Sequence, residues 1–195
     1  MKTFFLYAGL LLGGAGLALA GLVAGAPRQL RVVSAVVVRA PRSLVYDQVR
    51  YFRQYPRWSP WRDTDPRQRF ALRGPDGAVG ARFSWVGVAE PGRGYQQIVA
   101  LTPARRVAIA CRIEQPFRSA PTVEYAFEAV PGGTRVTQRF ETALPVPLNA
   151  LAPLLGLRGN IRQVNERGLA NLRRHCEQLA AARPLPVAPA LAAAR

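Results

Sequence analysis

The sequence predicts an α+β domain, a curved antiparallel sheet of about seven strands wrapped around one long C-terminal helix. Three observations predict it. Apolar runs with period-two alternation follow one another from residue 69 to residue 142, separated by Gly and Pro. After Pro145 and Pro147 the apolar spacing changes to three-to-four. The composition is 49% hydrophobic, enough for one core of ordinary domain size and too much for a disordered chain.

Ahead of this domain, residues 3–26 hold no charged side chain. As a helix rising ~1.5 Å per residue, the run reaches about 36 Å, enough to cross a hydrocarbon core of ~30 Å. Residues 1–27 are therefore expected to be a transmembrane anchor, making the protein a single-pass protein of the cell membrane. A cleaved secretory signal is the competing reading, because Ala18-Leu19-Ala20 and Ala24-Gly25-Ala26 both offer small-x-small cleavage sites. The positive-inside rule, applied to Arg28, Arg31, Arg39 and Arg42, puts the domain in the cytoplasm; a signal-anchor route puts it outside. The sequence leaves the side open.

The expected domain spans residues 28–182. Residues 31–40 are Val-rich and alternate poorly, the pattern of a strand buried on both faces. Pro41 then opens a helix over residues 43–51, with Leu44, Val45 and Val49 on one side. A second helical piece over residues 52–55 is expected to stop at Pro56. Trp58-Ser59-Pro60-Trp61 follows as a loop, since a residue before proline is pushed away from helical geometry.

Strands are expected over residues 69–73, 79–87, 95–101, 107–114, 122–130 and 134–142. Gly74-Pro75-Asp76-Gly77 and Pro131-Gly132-Gly133 read as hairpin turns, and the short connections argue for an antiparallel meander. Alternation puts Phe83 with Trp85, Ile109 with Cys111 and Ile113, and Val123 with Tyr125 and Phe127. Glu124 then points to the opposite face. Residues 159–182 carry the helical stripe Ile161, Val164, Gly168, Leu169, Leu172, Cys176 and Leu179. The Ala/Pro tail over residues 183–195 is expected to be disordered.

Chemistry-bearing residues are scarce. The sequence has no Gly-x-Ser-x-Gly, phosphate loop, dinucleotide fingerprint or metal-ligand spacing. No catalytic residue, metal or cofactor is assigned. The single histidine, His175, sits near a helix end between Arg174 and Cys176, where a surface or capping role is expected. Cys111 and Cys176 read as two small buried thiols, with a single bridge as the alternative. The formal charge is +16, and 26 of the 27 basic residues are arginines (all but Lys2), scattered along the whole chain. That spread speaks against a nucleic-acid site and leaves an anionic membrane surface as the nearest partner for charge.

All three tryptophans lie between residues 58 and 85, so large aromatic surface is concentrated where catalytic groups are few. Several stretches resemble the START/Bet v 1-like (SRPBCC) superfamily, and within it the bacterial polyketide cyclase/dehydrase-like proteins. They are Val38-Arg39-Ala40-Pro41 with Val45 and Val49; Trp58-Ser59-Pro60-Trp61; Gly80 with Phe83-Ser84-Trp85-Val86-Gly87; Gly133-Thr134-Arg135-Val136-Thr137; and Glu166-Arg167-Gly168-Leu169-Ala170-Asn171-Leu172. Together they cover residues 30–179.

The resemblance implies a helix-grip fold with an internal pocket for a hydrophobic ligand. Expected lining residues are Trp58, Trp61, Phe83, Trp85, Tyr95, Ile109, Phe127, Phe140, Leu169 and Leu172. The expected function is a membrane-anchored domain binding a hydrophobic small molecule or lipid, as a carrier or sensor. A polyketide cyclase/dehydratase-like enzyme on an aromatic or apolar substrate is one alternative, and a basic interaction module at an anionic membrane surface another. The oligomeric state is not readable.

Overall fold

A computed structural model describes residues 7, 14, 21, 23–61, 65, 67–87, 92–115 and 118–182. The elements are β1 Gln29–Val38, α1 Arg42–Arg50, a 3-10 turn Phe52–Gln54, α2 Tyr55–Trp58, β2 Arg69–Arg73, β3 Arg82–Val86, β4 Arg93–Thr102, β5 Arg106–Gln115, β6 Thr122–Val130, β7 Gly133–Ala143, α3 Leu148–Leu151 and α4 Leu157–Ala181. Most of the expected anchor and the whole tail over residues 183–195 lie outside the described residues. Among the described residues no helix is long and apolar enough to cross a membrane.

The seven strands form one antiparallel sheet in the order β1-β7-β6-β5-β4-β3-β2. Every pairing from β2 to β7 joins neighbours in sequence, as the short connections require; only β1 returns to the far edge to pair with β7. The expectation of a first strand buried on both faces is corrected here. As an edge strand β1 alternates, with Val32 and Val38 buried and Val33 and Val37 left 57% and 44% exposed. Its Val-rich run hides the alternation, because valine stands on both faces.

Pro56 does not stop a helix. It occupies the first turn of α2, where no backbone N–H is needed, so the chain passes from the 3-10 turn into a helix that carries Trp58. The segment Gly74-Pro75-Asp76-Gly77 opens a longer connection rather than a tight hairpin. Register pairs Arg73 with Arg82, and the Asp76 carboxylate accepts from the Phe52 and Arg53 N–H groups at 2.7 and 3.4 Å. The loop thus supplies the cap of the 3-10 turn.

The long helix lies across the concave face of the sheet. Leu169, Leu172 and Cys176 join Val38, Val45, Val49, Phe52, Ile98, Val107 and Val136 in the main core. A smaller cluster of Leu30, Val32, Leu144 and Ala152 sits at the other end, against Leu157 and Ile161. Cys111 and Cys176 are both free thiols.

On the outer face of the sheet Glu124 bonds to Arg106 at 2.6 Å and Arg139 at 3.0 Å. Arg31–Glu141, Arg93–Glu114 and Arg135–Glu128 extend this ladder. Part of the basic charge is therefore compensated in place.

Candidate ligand-binding site

The sheet and α4 do not close completely on each other. Between them lies an apolar cavity of about 150 Å³, the size of an engineered apolar cavity known to stay dry and take up benzene. One wall is the segment from the 3-10 turn to Trp61, another the inward face of β3 to β7, and the third the middle of α4.

The tryptophan segment is fastened as a wall. The Trp58 indole N–H donates to the Gln48 carbonyl of α1 at 2.9 Å. Its ring meets Tyr55 edge-on at 5.0 Å and Tyr125 at 6.1 Å; Tyr55 in turn meets Phe83 at 5.5 Å. Pro60 lies on Gly168 of α4, where a Cβ would come within 3.4 Å of the proline ring. The Asn171 amide donates to the Ser59 carbonyl at 3.2 Å. Gly168 thus lets the loop lie against α4, and Asn171 fastens it there.

Among the described residues, three titratable groups line the cavity: Tyr55, Cys111 and Tyr125. Burial pushes the Tyr55 hydroxyl up to about 12, offset only in part by its hydrogen bond with Ser59. Burial likewise pushes the Cys111 thiol up to about 12. Tyr125 is raised by burial and further by Tyr55 and Cys111. All three are neutral at physiological pH. Among the described residues no carboxylate, imidazole, Lys or Arg lines the cavity, so the lining offers apolar contact and neutral hydrogen bonds.

Raised acid pKa values favour the protonated, folded state. Their stabilisation is complete below the ordinary values of 9.0 for the thiol and 10.0 for the phenols, and is lost as pH rises towards about 12. Chemical denaturation between pH 8 and 11.5 should therefore show stability falling from about pH 9. Cys111→Ala should remove part of the earliest fall; the rest belongs to Cys176, whose thiol burial likewise pushes up to about 12.

Six of the ten expected lining residues reach the cavity: Trp58, Trp61, Phe83, Trp85, Ile109 and Phe140. Phe127, Leu169 and Leu172 are core residues, buried at 4%, 2% and 0% exposure and absent from the cavity wall. Phe127 packs edge-on against Tyr46 instead. Tyr95 lies on the other face of β4 from Gln96, beneath the Arg82 guanidinium at 4.1 Å.

Tyr95 lines an open outer cleft of about 1090 Å³ with Arg93, Arg112, Arg118, Leu148, Leu157 and Ile161. Ile113 and Phe140 belong to both spaces and form the partition between them. His175 stands away from the cavity and bonds Gln48 of α1 at 3.1 Å.

The lining also includes Gln96, Gln138 and Asn165, none of which the apolar pattern identifies. Their signal was present: a Gln at an inward position of a strand, and an Asn inside the apolar stripe of the helix.

A family model described as polyketide cyclase / dehydrase and lipid transport matches residues 29–177. The chain belongs to this family. As a member it has the superfamily's architecture, and solved structures show the same fold at low identity. The Chromobacterium violaceum protein CV1439 is 15% identical with a TM-score of 0.55, the match covering 77% of this chain and 98% of that one. Ara h 8.0201 is 10% identical with a TM-score of 0.57, over 77% and 99%. The di-domain ARO/CYC StfQ of the steffimycin biosynthetic pathway is 13% identical with a TM-score of 0.59, over 78% of this chain and 52% of that one. No curated protein sequence matches this family member.

Proposed function

We propose that this protein is a membrane-tethered domain that takes up a hydrophobic small molecule or lipid between its sheet and α4, as a carrier or sensor. The observation that carries this reading is the cavity itself, an aromatic-walled space whose polar groups, among the described residues, are all neutral. The family's description, which includes lipid transport, and the likeness to the di-domain ARO/CYC structure support it.

The tether is supported by the uncharged run over residues 3–26 and by where that run ends. The Asn149 amide donates to the Val23 and Ala26 carbonyls at 2.9 and 3.2 Å, fixing the end of the run against α3. Leu151, Leu154 and Leu155 beside it are 44%, 84% and 54% exposed. Leu148 and Leu157 on either side of them line the outer cleft, so a molecule leaving a bilayer there meets the cleft first and the inner cavity next.

Two measurements test the proposal. Alkaline carbonate should leave the full chain in the membrane pellet, whereas a chain beginning at Pro27 should be soluble and still bind an apolar fluorescent probe saturably. Release of the full chain by carbonate would contradict the tether. Lack of saturable probe binding by both chains would contradict the pocket.

A further inference from the structure

We propose that the inner end of the bound molecule carries a neutral hydrogen-bond-accepting oxygen of the carbonyl type, held by the side-chain amides of Gln96 and Asn165; the inference rests on the ligand-binding reading of the cavity. Gln96 Nε2 and Asn165 Nδ2 are buried amide nitrogens without a hydrogen-bond partner. The two residues are only 7% and 5% exposed, and both line the cavity. They approach from different walls. Gln96 stands on β4, in register between Phe83 of β3 and Cys111 of β5. Asn165 stands on α4, four residues before Leu169.

The polarity of the free groups is set by a neighbour. Gln138 Nε2 donates to Asn165 Oδ1 at 3.2 Å, which engages the acceptor end of that amide and leaves its NH2 free. A buried donor without a partner is destabilising, more so than an apolar group of the same shape would be. Folded domains keep few such groups, and two of them on residues that line one small cavity point to an acceptor that arrives from outside the chain.

The surroundings narrow the acceptor's chemistry. A hydrocarbon cannot satisfy an N–H, and an ammonium or N–H group would face two donors. A carboxylate or phosphate would bring a charge to a cavity whose described lining has no Lys or Arg, and a buried unpaired charge is strongly disfavoured. A ketone, ester, amide or quinone oxygen remains: it is neutral, and its two lone pairs can take one donor from each wall. The volume of about 150 Å³ admits a group near the size of one six-membered ring beside that oxygen.

The test compares two probes of nearly the same shape, acetophenone and α-methylstyrene, which differ in C=O against C=CH2. Binding of each is measured by calorimetric titration to wild type, Gln96→Leu and Asn165→Leu. The intrinsic solubility difference between the probes cancels when ratios of dissociation constants are compared between proteins. The expected result is that each substitution shifts the ratio about fivefold towards α-methylstyrene; thermal stability without ligand stays level or rises for Gln96→Leu and falls for Asn165→Leu, which takes the acceptor from Gln138 Nε2. If Asn165→Leu fails to fold, Gln96→Leu decides the matter from the sheet side. A ratio unchanged by the substitution, with both probes bound, would overturn the acceptor inference and leave the pocket standing. Binding of neither probe by wild type would overturn the pocket reading and the inference with it.

Discussion

Replacing Trp58 with alanine is expected to cost about 3–5 kcal/mol of stability, the range for deleting a buried aromatic side chain. For a domain of this size that lowers the melting temperature by roughly 10 °C or more. The residue is 2% exposed, and its ring is the joint between three parts of the structure. It packs edge-on with Tyr55 of its own helix and with Tyr125 of β6, and its N–H ties α2 to the Gln48 carbonyl of α1. Alanine loses the ring contacts and leaves that carbonyl without its indole donor. Trp58→Phe keeps most of the burial and loses the hydrogen bond, so it should cost about 1–3 kcal/mol. Trp61 is less buried, and alanine there should cost clearly less than alanine at Trp58. Differential scanning calorimetry of the three variants checks the order.

The second large effect is on binding rather than stability. Cys111→Phe is expected to weaken apolar ligands roughly a hundredfold while leaving the fold in place. Cys111 faces the cavity from the middle of β5, in register with Gln96. A phenyl group there would take up much of the roughly 150 Å³. The change inserts volume where there is already space, so its cost should not exceed the ~1–3 kcal/mol usual for overpacking. Circular dichroism and titration with an apolar probe separate the two effects: native spectrum, lost binding. A variant that folds and binds as wild type does would place the ligand elsewhere.

Most of the architecture was legible because period and punctuation agree along the chain. β2 and β6 have the expected bounds, and the long helix is displaced by only one or two residues at either end. Errors arose where one cue carried two meanings. Valine suits a buried strand and an edge strand alike, which hides the edge position of β1. Proline ends a helix or begins one, and Pro56 begins α2.

The site was legible by face but not by depth. Alternation groups Phe83 with Trp85, Ile109 with Cys111 and Val123 with Tyr125, and in the structure these shared faces line the cavity, with Glu124 on the opposite face. It cannot tell a residue that meets helix α4 from one that meets empty space, because both are apolar and inward. Phe127, Leu169 and Leu172 therefore belong to the core. The amides were missed for the converse reason: an apolar-pattern reading treats Gln96, Gln138 and Asn165 as breaks in a stripe, yet these breaks give the cavity its polarity.

The space between the sheet and α4 is expected to hold an apolar molecule in the purified protein. Mass spectrometry of organic extracts from detergent-purified full-length wild type and Cys111→Phe, prepared side by side, tests it most directly. Wild type should yield an apolar, oxygen-bearing species near one per chain, and Cys111→Phe should lack it. A wild-type extract without such a species, or equal amounts from both proteins, would contradict it.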